Sequence, residues 1–115
     1  MLRWPSRVAV GLLLSLTAVA CSDTRGPISI AENTVTVDNK TSREWRNVVV
    51  TVNDHFRGGA ARLAAGGRLT APLTQFQTAF GQRFDIGRQS VFKVEVTATD
   101  ASGEPVKLQW GMSRQ

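Results

Sequence analysis

The chain of 115 residues has one cysteine, one histidine and no tyrosine. A single cysteine excludes an internal disulfide, and one histidine excludes a multi-histidine metal centre. The longest apolar run, Val8–Ala20, is thirteen residues. As a helix it would rise about 20 Å, whereas a hydrocarbon core of about 30 Å needs roughly 20 residues. A permanent transmembrane helix is therefore not expected. Outside that run no long stretch repeats its apolar residues every 3.6 positions, so helical layers are not expected either. Neither Gly58-Gly59 nor Gly66-Gly67 is followed by Lys-Ser/Thr, which removes a phosphate-binding loop. The acids Asp38, Glu44, Asp54, Asp85, Glu95, Asp100 and Glu104 are scattered, mostly in turn-like stretches, and no pair is placed for acid–base work. No basic stripe interleaves with aromatics, which argues against nucleic acid. No catalytic residue, metal ligand or cofactor is assigned, and the chain is not read as an enzyme.

What is present at the start is an export signal. Arg3 and Arg7 precede the apolar run, which ends in Ala18-Val19-Ala20, a small-x-small cleavage pattern. The stretch Leu16-Thr17-Ala18-Val19-Ala20-Cys21 also resembles the lipobox of bacterial lipoproteins, with Ala18 where that motif usually has Leu. The resemblance implies that Cys21 becomes the first mature residue and carries diacylglycerol on its sulfur. Two or more acyl chains hold a protein stably at a membrane, where one does so only marginally. Ser22, rather than Asp, then implies the outer membrane in an organism that has one. The other reading of the same residues is a soluble exported domain with a free thiol.

The domain plan is a signal helix at 1–20, a lipid-anchored tether at 21–28 broken by Gly26 and Pro27, and one folded unit at 29–115. Without Arg3 and Arg7 the basic residues number 12 against 9 acids, leaving a formal charge of +3. The basic excess sits between His55 and Ser90. Arg57, Arg62, Arg68, Arg83 and Arg88 face a single acid there, Asp85. These five are candidate contacts to an anionic surface, each such residue contributing about 1 kcal/mol near an anionic membrane. Scattered solvated arginines are the plainer expectation.

The mature chain alternates like strands. Thr34–Asp38 is one, with Ile28 and Ile30 extending the same face, and Asn39–Ser42 is a turn. Trp45–Asn53 carries Val48, Val50 and Val52 on one face and Trp45, Asn47, Val49 and Thr51 on the other, so it is expected at the centre of a sheet. Phe92, Val94, Val96 and Ala98 pair through the turn Asp100–Pro105 with Val106, Leu108 and Trp110, a hairpin with one buried face. Arg57-Gly58-Gly59 and Gly66-Gly67 read as turns around Leu63. Arg68–Leu73 reads as an edge strand because of Pro72, and Thr74–Phe80 as a strand or one helical turn. Six or seven short strands in this rhythm predict an all-β, antiparallel, immunoglobulin-like β-sandwich.

Val35–Ser42, Trp45, Val48–Asn53 and Leu63-x-x-Gly66 together resemble the FxLYD-type sandwiches of bacterial surface lipoproteins. The resemblance covers residues 34–76, with Asn53-Asp54-His55-Phe56 near the place of the Phe-x-Leu-Tyr-Asp signature. It implies a surface module with no catalytic residues to transfer.

Two local features carry chemistry. Asn53-Asp54-His55 is the densest polar cluster, read first as a turn after a strand and second as a ligand site at a strand end. A small envelope enzyme using Asp54 and His55 is the reading from a different class. Exposed aromatics stack on sugars, and Trp45 and Trp110 are the two residues that raise this idea. Trp110 is in phase with Val106 and Leu108, and Trp45 joins the core face only if a bulge changes its phase. Core packing is the expectation for both. The functional expectation is a non-enzymatic binding or structural module of the envelope, with an envelope protein or an anionic surface as partner.

Overall fold

The computed structural model describes residues 26–111. The export segment 1–20, Cys21 and the tether up to residue 25 lie outside the described residues. Seven strands follow in order: β1 (Ile28–Ala31), β2 (Thr34–Asp38), β3 (Trp45–Val52), β4 (Phe56–Leu63), β5 (Arg68–Pro72), β6 (Lys93–Asp100) and β7 (Pro105–Gly111), with one 3₁₀ turn at Leu73–Gln75. They form a three-stranded sheet, β1-β2-β5, and a four-stranded sheet, β4-β3-β6-β7. Every pairing is antiparallel. Val35 and Val37 from the first sheet meet Val48, Val50, Val52, Val94 and Val96 from the second, and Phe56, Leu73, Phe76 and Phe84 complete the core. Each fully buried side chain of this kind contributes about 1.5–3 kcal/mol. The fold is the small antiparallel β-sandwich that the alternation predicts.

The 93–111 hairpin forms as expected, with Val94 opposite Trp110 and Val96 opposite Leu108. β3 lies inside its sheet, between β4 and β6. Its register against β6 shifts between Arg46 and Val49, and Asn47 takes φ 52°. This bulge turns Trp45 into the core beside Val48, at 2% exposure. Its indole Nε1 has no hydrogen-bond partner among the described residues.

Three expectations are corrected. Ile28 and Ile30 do not prolong β2; they form β1, which folds back on it with Ile28 opposite Val37 and Ile30 opposite Val35. Glu32 and Asn33, at φ 52° and 61°, make the two-residue turn between them. Arg57-Gly58-Gly59 is not a turn but the body of β4. Gly58 lies under the Phe76 ring, where a Cβ would stand 3.1 Å away, and a Cβ on Gly59 would overlap the Val48 carbonyl oxygen. Glycine is required there for close approach, not for reversal. The Thr74–Phe80 stretch is neither one strand nor a clean helical turn, because Gln77 makes isolated bridges to Arg57 and Arg83 after the 3₁₀ turn.

The registers fix two ends. At the proximal end, where the chain enters through Pro27, Asp38 N–H donates to Pro27 O at 2.7 Å. The 39–44, 64–67 and 101–104 connections gather there. Buried Asn39 ties the first two: its Nδ2 donates to the carbonyls of Arg43 (2.8 Å), Leu63 (3.1 Å) and Ala64 (3.1 Å). Its main chain closes the knot, with Asn39 N–H on Gly67 O at 2.9 Å and Gly66 N–H on Asn39 O at 2.8 Å. The Asn-x-Thr turn and the Leu-x-x-Gly turn, seen separately in the sequence, are two halves of one contact.

Candidate functional site

The distal end is built on the β3–β4 turn. Asn53 and Asp54 take φ 51° and 67°, and His55 N–H donates to Val52 O at 3.2 Å. Asparagine and aspartate tolerate this left-handed backbone better than most residues. Buried Asn53 then reaches across to the segment leading into β6. Its Nδ2 donates to Ser90 O at 2.9 Å, and its Oδ1 accepts from Phe92 N–H at 2.8 Å and Lys93 N–H at 3.2 Å. The residue is therefore structural. Its neighbours Asp54 and His55 are exposed.

A short loop closes over this turn. Arg57 and Gln77 exchange main-chain bonds, N–H to O at 2.9 and 3.2 Å. Thr78 N–H donates to Gln82 O at 2.9 Å, Gly81 N–H donates to Thr78 O at 3.0 Å, and Thr78 Oγ1 accepts from Phe80 and Gln82 N–H. Gly81, at φ 83°, supplies the reversal. The loop is rooted by Phe76, 1% exposed, and by Phe84, which meets Phe56 edge-on at 5.3 Å. Its tip holds Phe80 at 91% exposure. A rigid loop with its aromatic residue outside and its root in the core is what binding surfaces use.

Between loop and turn lies an open cleft of about 420 Å³, lined by Asp54, His55, Arg57, Gln77, Thr78, Ala79, Phe80 and Gln82. That volume is in the range of small-ligand sites. Asp54 is engaged by Lys93 Nζ at 2.9 Å. The hydrogen bond to Asp54 raises the Lys93 ammonium above the usual lysine value, against a smaller effect of desolvation. No described carboxylate pairs with the Arg57 guanidinium, so the cleft keeps a cation while its acid is neutralised. Among the described residues no group of three or more His, Cys, Asp or Glu side chains is placed to hold a metal ion.

The five arginines do not form one surface. Arg57 lies in the cleft and Arg83 pairs across Gln77 beside it. Arg62 is five residues further along β4, about 17 Å away, facing Arg46 at the proximal end. Arg68 forms a two-pronged pair with Asp38 at 2.6 and 3.3 Å, and Arg88 sits 3.7 Å from Asp85. Asp54 and His55, read as a strand-end cluster, do line the cleft. The aromatic residue the cleft presents is Phe80, not either tryptophan, since Trp45 is buried and Trp110 half-buried. The sequence signal for it is a single Phe in the short run Thr78–Gln82, outside any alternation. No protein-family model, curated protein or solved structure matches this chain.

Proposed function

We propose that this chain is an exported, non-enzymatic binding module, held in a bacterial envelope by lipid on Cys21 and presenting its cleft away from the anchoring membrane. The observation that carries the reading is the placement of the Phe80 cleft at the end opposite the one where the chain enters. Residues 21–27 reach about 25 Å at most, so the proximal end sits close to the membrane. The cleft stands a strand length beyond it, about 25 Å for eight residues. The resemblance of residues 34–76 to FxLYD-type surface domains supports a module without catalytic residues. On this reading the anionic-surface role divides: Arg62 and Arg68 face the membrane side and Arg57 and Arg83 the far side.

Intact mass of the mature protein tests the anchor. The expected product starts at acylated Cys21, with Ser22 next. An unmodified chain starting at Cys21 would sink the lipid reading and leave the soluble exported domain.

A further inference from the structure

We infer that the distal cleft binds an acidic saccharide, its ring laid on Phe80 and its carboxylate held by Arg57. The inference rests on reading the domain as a binding module and is independent of the lipid on Cys21. Three observations select this ligand class.

The main chain around the cleft is already used. The N–H groups of His55, Arg57, Gln77, Thr78, Phe80, Gly81 and Gln82 all have partners within the fold. An extended peptide adding as a strand would need free main-chain N–H donors, and these seven are already spent. Recognition falls to side chains. Gln77 and Gln82 amides and the Thr78 hydroxyl suit a ligand rich in hydroxyl groups, each amide offering both donor and acceptor.

Phe80 supplies the apolar half. At 91% exposure it has no intramolecular packing to provide. The negative face of an aromatic ring attracts the weakly positive C–H groups on one face of a sugar ring. The ring is held on the Thr78–Gln82 turn rather than on a slack loop, so little ordering entropy is lost on binding.

Charge decides between neutral and acidic sugars. Lys93 occupies Asp54, Arg57 has no described acid partner, and Arg83 lies one bridge away. A guanidinium fork matches a carboxylate with two parallel hydrogen bonds. A ligand with a ring carboxylate therefore gains over its neutral ester.

The test is calorimetric titration of the full chain, purified in detergent, with trigalacturonate and with its methyl ester. The acid is expected to bind at least tenfold more tightly than the ester. Phe80→Ala should weaken the acid at least tenfold, and Arg57→Gln should erase the difference between acid and ester. Arg46→Gln, exposed at the proximal end of β3, should change neither. Phe80 and Arg57 are both exposed, and far-ultraviolet circular dichroism checks that each variant stays folded. Equal binding of acid and ester, binding indifferent to Phe80→Ala, or no heat at millimolar acid each overturns the inference. Triglutamate binding as tightly, with the same dependence on Phe80 and Arg57, would replace the saccharide with an acidic peptide. Failure here leaves the anchor untouched, because the mass of the mature protein reads that separately.

Discussion

Each end of the sandwich is pinned by a buried asparagine, and the ends differ in what the pin leaves over. At the proximal end Asn39 gathers three carbonyls, Asp38 takes Arg68, and Asp100 accepts from Ser102 and from Glu104 N–H. Polar groups there face one another. At the distal end Asn53 gathers the 90–93 segment in the same way, yet Arg57 and Phe80 are left facing outward around a cleft. The proximal pin leaves its polar neighbours paired, and the distal pin leaves a cation and an aromatic ring facing outward.

The largest expected effect comes from breaking the proximal pin. Asn39→Ala strands the carbonyls of Leu63 and Ala64 next to the core and is expected to cost about 3 kcal/mol or more, as lost bonds to buried partners do. The urea midpoint reads it, and the whole domain should unfold earlier in one transition. Breaking the distal pin is expected to cost less, about 2 kcal/mol for Asn53→Ala, with faster amide exchange confined first to 90–93. Asn53→Gly should recover part of this loss, about 1 kcal/mol, because glycine relieves the positive φ. Asn39 is not in that backbone region, so Asn39→Gly should recover nothing over Asn39→Ala.

Acid and alkali separate the ends with the smallest effects. The Ser102 hydroxyl first, then the Glu104 and Ser102 N–H groups and Arg43, hold the Asp100 carboxyl below its ordinary value against desolvation. A depressed acid contributes stability that is complete above its unfolded value, about 3.9, and lost as pH falls through the lower folded value. Lys93 is raised, so its contribution is complete below about 10.4 and lost as pH rises through the higher folded value. Amide exchange of the 100–104 turn should therefore accelerate in acid, and that of 53–55 and 93 beyond the intrinsic base dependence in alkali. Asp100→Asn and Lys93→Met should each remove one limb and leave the other.

The strand layout was readable where alternation is unbroken, as in Val94, Val96 and Ala98 against Val106 and Leu108. It failed where one backbone step changes the meaning of a letter. Trp45 faces the wrong way until Asn47 takes a positive φ, and nothing in the side-chain order dictates that step. Gly58-Gly59 reads as a reversal because glycine serves both turns and close approaches. Only the Phe76 ring and the Val48 carbonyl, brought in by tertiary contacts, distinguish the two. Glu32-Asn33 does not read as a hairpin turn, because neither residue is glycine. For the cleft, Asp54, His55 and Arg57 were visible as neighbours in sequence. Phe80 and Gln77 reach them through the Arg57–Gln77 exchange, across twenty residues that no local pattern links.

The proximal pin also bears on how the protein can be made. Asn39-Lys40-Thr41 is an acceptor for N-linked glycan in a eukaryotic secretory pathway. The amide nitrogen that would carry the sugar is the atom that donates to Arg43, Leu63 and Ala64, and Thr41 Oγ1 donates to the side-chain Oδ1 of Asn39 at 2.6 Å. A glycan on the nascent chain would block the knot before it closes. In such a host, modification and folding compete for one nitrogen, and a chain modified first is barred from the native state.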